Sequence, residues 1–116
     1  MILVNDSIYI SQSDHGATVH VKGRFNFKMH GKFWDACLSI SNHSVEKIII
    51  VDLSEAEYVD SSALGMLLLL RDRLLKENKE IHIVNSKQHI KEIFLSANFH
   101  QLFHISEENK YLSTAD

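Results

Sequence analysis

The sequence predicts an α/β domain: a mixed β-sheet in the order β-β-α-β-α-β-α-β with helices packed on it. Three observations lead there. Residues 47–53 (KIIIVDL) are β-branched and almost continuously apolar, the pattern of a central strand buried on both faces. Ala17, Val19 and Val21 alternate with Thr18, His20 and Lys22, the period of two of a half-buried strand. Farther along, short β-rich runs alternate with helix-periodic segments, which calls for right-handed crossovers and a largely parallel inner sheet.

In chain order, Ile8-Tyr9-Ile10 reads as a short first strand, and Ser13-Asp14-His15-Gly16 as the turn of a hairpin into the strand at 17–22. Gly23-Arg24-Phe25-Asn26 breaks the alternation. From about Lys28 to Asn42 the spacing turns helical, with Phe33, Cys37 and Ile40 on one stripe. The strand at 47–53 follows, then a connector from Ser54 to Asp60 and a strong helix from about Ser61 to Glu77. Ile81-His82-Ile83-Val84 is the next strand. Ile90, Ile93, Phe94 and Ala97 recur at helical spacing, predicting a helix that begins near Lys87. Leu102-Phe103-His104-Ile105 reads as a short last strand, and Ser106 to Asp116 as a polar tail or short final helix.

The 116 residues make one domain, 1–116, with a core at about 8–105. A chain of this length buries roughly two-thirds of its unfolded surface, and 45% apolar residues exclude general disorder. A net charge of −3 with scattered Lys and Arg excludes a duplex-binding stripe, so no nucleic-acid partner is expected. The single cysteine, Cys37, excludes an intrachain disulfide framework and a thiolate zinc cluster. It lies on the apolar stripe of the first helix and reads as a small buried hydrophobe. Ala63–Leu70, an apolar run, is far too short to span a bilayer. The apolar start Met1-Ile2-Leu3-Val4 has no basic region before it and does not read as a signal peptide. The expectation is a cytoplasmic protein with no membrane partner.

Catalytic motifs are mostly absent. The four glycines fit neither a P-loop nor a dinucleotide fingerprint, and no G-x-S-x-G elbow occurs. Ser44-Val45-Glu46-Lys47 matches S-x-x-K without its partner motifs. Among eight histidines, His100 and His104 are four apart but in a strand-like segment, and His82 alternates with Ile81 and Ile83 as an outward strand residue would. The histidines read as surface or boundary residues, so no metal, no cofactor and no enzyme activity are expected.

One segment stands out, Tyr58-Val59-Asp60-Ser61-Ser62-Ala63-Leu64-Gly65-Met66-Leu67. It sets a carboxylate and two hydroxyls where a helix begins. Plain N-capping accounts for one of them. Leu64 lacks the Glu or Gln of a capping box, and Gly65 costs its helix ~1 kcal/mol relative to Ala, which predicts close approach of another backbone. On a helical wheel Leu64, Leu67, Leu68, Leu74 and Leu75 face the sheet. Met66 and Leu69 fall on the wet side with Gly65, Asp72, Arg73 and Lys76, as a docking patch. Arg71 falls inside the apolar arc and must snorkel.

Asp60-Ser61-Ser62-Ala63-Leu64-Gly65 after the strand Ile48–Leu53 resembles the STAS domain, whose bacterial representatives are the anti-sigma factor antagonists. The resemblance covers residues 8–105 and implies a STAS-like sheet and a non-catalytic switch. It implies phosphorylation at Ser61, by a serine kinase/anti-sigma factor with a histidine-kinase-like ATPase fold, and removal by a PP2C-type phosphatase. Partner binding would involve Asp60, Ser61, Ser62, Gly65, Met66 and Leu69, with Arg24 and Asn26 from the loop expected alongside. In that loop the family usually reads G-E-L-D, where this chain has Gly23-Arg24-Phe25-Asn26. Both carboxylates are lost, and Arg24 either approaches a phosphate on Ser61 or merely solvates the loop. The alternative to a phospho-switch is a ligand-binding STAS sensor module; a small hydrolase using Ser61 or Ser62 is a third reading.

Overall fold

The computed structural model describes residues 6–13, 16–43 and 47–107. The apolar start at 1–4, most of the S-x-x-K match (44–46) and most of the tail (108–116) lie outside them, as do Asp14 and His15 of the first turn. The strands are β1 (Ser7–Ser13), β2 (Gly16–Phe25), β3 (Ile48–Asp52), β4 (Ala56–Val59), β5 (Glu80–Val84) and β6 (His104–Ser106). The helices are α1 (His30–His43), α2 (Ser61–Leu75) and α3 (Gln88–Ser96), with 3-10 turns at Phe27–Met29 and Phe99–Gln101.

The sheet runs β1-β2-β3-β5-β6, with β4 added beside β2. Among the described residues only β1 and β2 pair antiparallel; every other pairing is parallel. The KIIIVDL strand is therefore central, as its two-sided burial predicts, and Ile49 and Val51 are almost wholly buried. Each crossover steps the same way across the sheet, and right-handed crossovers that do so lay their helices on one face. The core agrees: Phe33, Cys37 and Ile40 of α1, Leu67 and Leu70 of α2, and Ile90 and Phe94 of α3 join Val19, Val21, Ile49, Val51, Ile81 and Ile83. Strand alternation sends Thr18, His20, Ile50, Asp52 and His82 to the opposite face.

Three expectations change. β2 does not end at Gly23. It continues to Phe25 through a register shift at Gly23/Arg24, so that its first half pairs with β3 and its end with β4. Gly23 sits at φ +88, and a Cβ there would lie 2.2 Å from Asp6 Oδ1; the break in the pattern is a bulge, not a strand end. The connector 54–60 contains β4, a four-residue strand with only Ala56 and Val59 buried. His82 is not an outward residue: it is 7% exposed, with its ring 4.6 Å from that of His104. Burial, and then the neighbouring His104, hold its pKa below the ordinary histidine value.

Punctuation that proline and glycine usually supply comes from asparagine. Asn78, Asn85 and Asn98 all adopt φ 60, a conformation that Asn tolerates better than most residues. After α2, Lys79 N–H donates to Leu74 O at 2.9 Å, closing the helix end around Asn78.

Candidate functional site

The site grows from the β2 bulge. By turning β2 onto β4, the bulge carries Phe25 and Asn26 to the start of α2, where Asp60 N–H donates to Phe25 O at 3.4 Å. Asp60 is the N-cap: its backbone is extended and its Oδ1 accepts from Ala63 N–H at 2.9 Å. Leu64 N–H donates to Asp60 O at 3.2 Å, the first full turn of the helix. One carboxylate thus supplies the cap, and the hydroxyls of Ser61 and Ser62 are both on exposed residues. A phosphate on either would meet the positive end of a helix dipole.

Asn26 has a local task. Its Oδ1 accepts from Lys28 N–H at 3.0 Å and starts the turn Phe27–Met29 that leads into α1. Arg24 is exposed, and Asp6 engages it in an ion pair. Its Nη2 lies 2.9 Å from Asp6 Oδ2, its Nε donates to the same oxygen at 3.1 Å, and its backbone N–H donates to Asp6 Oδ1 at 3.0 Å. The loop that lacks its own carboxylates receives one from Asp6. Hydrogen bonds from the Arg24 backbone and side chain hold the Asp6 carboxyl below its ordinary pKa.

Leu69 is 65% exposed, on the wet side of α2 as the wheel predicts, and Leu67 is fully buried. Met66 is a correction: at 7% exposure it is not a surface residue. The wheel allowed α2 one apolar partner, the sheet, but α1 also packs alongside it. Leu75 departs the other way, 45% exposed, although Leu74 beside it is fully buried. Arg71 snorkels as expected, with Nε donating to Leu102 O at 2.9 Å. At Gly65 an added Cβ would meet nothing within 4 Å. The missing side chain does not admit a second backbone; it leaves room.

That room is part of a groove of about 590 Å³ between α1 and the first turns of α2. Its α2 wall is Ser62, Gly65, Met66, Leu68 and Leu69, and its other wall is Phe27 of the 3-10 turn with His30 and Trp34 of α1. The His30 ring stacks on Phe27 at 4.6 Å between centroids, and its Nδ1 lies 2.8 Å from Phe27 O. The sequence reading missed Phe27 and His30; His30 is seven residues before Cys37, on the same helical side as the buried stripe, so its spacing does not mark it as a groove residue.

Elsewhere the residues singled out are structural. Cys37 is fully buried, and burial pushes its thiol pKa well up, consistent with an unreactive hydrophobe. Among the described residues no group of three or more His, Cys, Asp or Glu side chains is placed to hold a metal ion. No helix among them is long and apolar enough to cross a membrane.

Comparison with known proteins agrees with this fold. The family described as "Mlab, STAS domain" matches residues 8–105. A STAS-domain containing protein of Pseudomonas aeruginosa (strain UCBPP-PA14) is 44% identical over 89 residues, covering 77% of this chain and 86% of that protein. The anti-sigma factor antagonist SpoIIAA in its unphosphorylated form superposes with a TM-score of 0.71 at 12% identity, covering 88% of this chain and 90% of that one. The phosphorylated form of the Bacillus protein gives 0.65 at 12% identity, covering 88% and 93%. A sulfate transporter family protein of Wolinella succinogenes gives 0.72 at 10% identity, covering 87% and 84%. At such identities the structures show a shared fold.

Proposed function

The chain belongs to the STAS domain family, and we propose that it works there as a phospho-switch whose α2 site binds partners and has no catalytic machinery of its own. Unphosphorylated, the start of α2 docks onto a serine kinase/anti-sigma factor with a histidine-kinase-like ATPase fold, or onto a PP2C-type phosphatase. Phosphorylated on Ser61, it lets go. Asp60, Ser61 and Ser62 form the polar part of the docking surface. Gly65, Leu69 and the groove form the apolar part, with Met66 as its floor. Asn26 shapes the adjoining turn, and Arg24 with Asp6 forms a neutralised pair on the flanking loop.

The observation that carries this reading is an exposed Ser61 that follows the Asp60 cap and opens α2, next in sequence to Ser62, which lines an apolar groove. A phosphoserine adds about −1.5 to −2 charges, which a helix N-terminus tolerates, so the fold survives modification. In a closed interface the same group faces Asp60 and any partner acids. Like charges ~4 Å apart cost up to ~4 kcal/mol at an effective dielectric of 20, nearly three decades in affinity. The groove also favours the second reading, a ligand-binding sensor, because its size and lining fall within the range of small-molecule sites.

Affinity capture with wild-type, Ser61→Ala and Ser61→Glu baits tests the proposal. Wild type and Ser61→Ala are expected to retain a serine kinase of the stated fold or a PP2C-type phosphatase, and Ser61→Glu to lose it. Equal retention by all three baits contradicts the switch.

A further inference from the structure

The sheet face opposite the helices carries a second cluster. Strand register sets Tyr9 opposite His20 and His20 opposite Asp52, with Ser11 diagonal to His20 because it pairs with Thr18. The three polar side chains meet in one line. Asp52 Oδ2 lies 3.1 Å from His20 Nδ1, and His20 Nε2 lies 2.7 Å from Ser11 Oγ. The other Asp52 oxygen accepts from Ser54 N–H at 2.8 Å, which fixes the carboxylate. The Tyr9 ring stacks on the imidazole at 4.6 Å and 10°, and the Tyr9 hydroxyl donates to Glu55. The side chains of His20 and Asp52 are only 14% and 10% exposed.

A carboxylate on Nδ1 selects the tautomer with its proton there and leaves the Nε2 lone pair to the hydroxyl. A cross-strand polar ladder requires only pairwise contacts. Here both ring nitrogens are committed, in the order hydroxyl, base, carboxylate, and the ring is clamped flat. That is the arrangement that activates a serine.

We propose that Ser11 is an activated nucleophile, with His20 as its general base and Asp52 as the residue that positions His20, and that it accepts an acyl group from small activated carboxylic esters. In acylation the Ser11 Oγ–acyl carbon bond forms and the ester C–O bond breaks. The Ser11 proton passes to His20 Nε2 and from there to the departing alkoxide or phenoxide. Ser11 is half-buried on the sheet face opposite the helices, and the reagent approaches it from that face.

An alkyl fluorophosphonate probes the same nucleophile: an Oγ–P bond forms, fluoride leaves, and His20 passes the proton to solvent. The folded protein is treated with it, the rate is read by intact mass, and the adduct is mapped by peptide mass spectrometry. The expected adduct is on Ser11 and is lost in Ser11→Ala. His20→Gln is expected to slow it about 100-fold. Asp52→Asn should also slow labelling and Asp52→Glu recover part of the rate, which loss of structure alone would not do. If His20→Gln does not fold, the comparison rests on Asp52→Asn, whose amide keeps the shape of the carboxylate. Modification on Ser61 or Ser62 instead, a rate no faster than that of the urea-unfolded chain, or unchanged labelling in the folded variants overturns the proposal.

Discussion

Gly65 illustrates how a single missing side chain is read one way in sequence and another in space. In a helix interior it costs ~1 kcal/mol against Ala, and nothing packs where its Cβ would be. Gly65→Ala is therefore expected to raise stability by up to ~1 kcal/mol in chemical denaturation, while narrowing the groove and weakening partner binding. Stabilisation without any loss of binding would show that the groove is not used. Asp60 carries two of the readings at once: the plain capping role is real, and it leaves both serine hydroxyls for other work. The motif at Asp60–Gly65 was legible because its residue types are specific. Asp6 was not, because nothing in the spacing of residues 6 and 24 signals that a bulge at Gly23 will bring them together.

Helix α2 is where the element-scale argument can be separated from the residue-scale one. Leu69→Lys is expected to leave the melting temperature nearly unchanged, since exposed substitutions usually stay within ~0.5 kcal/mol. It should weaken partner binding by ~2 kcal/mol if Leu69 is a hot spot. Leu67→Lys and Met66→Lys bury an ammonium, at a cost of several kcal/mol, and should unfold the domain first. Thermal melts with titration calorimetry against the captured partner decide it; Leu69→Lys melting as early as Leu67→Lys would remove the docking face. Long periodic elements such as α2 and α3, and the apolar run of β3, were legible almost to the residue. β4 was not: with four residues and two exposed side chains between its buried ends, it offers too few periods to read. Met66 was misplaced for a tertiary reason, the flank of α1, which a one-helix wheel does not contain.

At the scale of the whole molecule, stability is coupled to pH through the buried His82. Its folded pKa lies below the ordinary 6.5, chiefly through burial, so the unfolded chain binds the proton more readily. The resulting contribution is fully present above the unfolded pKa and is lost as pH falls through the folded one. The melting temperature is expected to drop as pH falls through and below the ordinary histidine value of 6.5, and the drop to be smaller in His82→Gln. An unchanged slope in that variant would assign the effect elsewhere. The depressed carboxyls of Asp6, Glu57 and Glu107, each paired with a cation, contribute above the ordinary carboxylate range and lose that contribution only as pH falls through and below it, beyond the histidine range. Apart from β4, the element order, the mixed sheet and its parallel core follow from periodicity and the crossover rule. The sheet face opposite the helices does not, because register, which decides that His20 meets both Asp52 and Ser11, is set by the hairpin and the crossovers together.

The switch itself is tested most directly by phosphopeptide mapping of the protein isolated from its own cells. The account predicts a single phosphorylated residue in a fraction of the molecules, Ser61, which follows the Asp60 cap directly. A phosphate found mainly on Ser62, which the helix turns about 100° further round, or no phosphate under any growth condition, would contradict it.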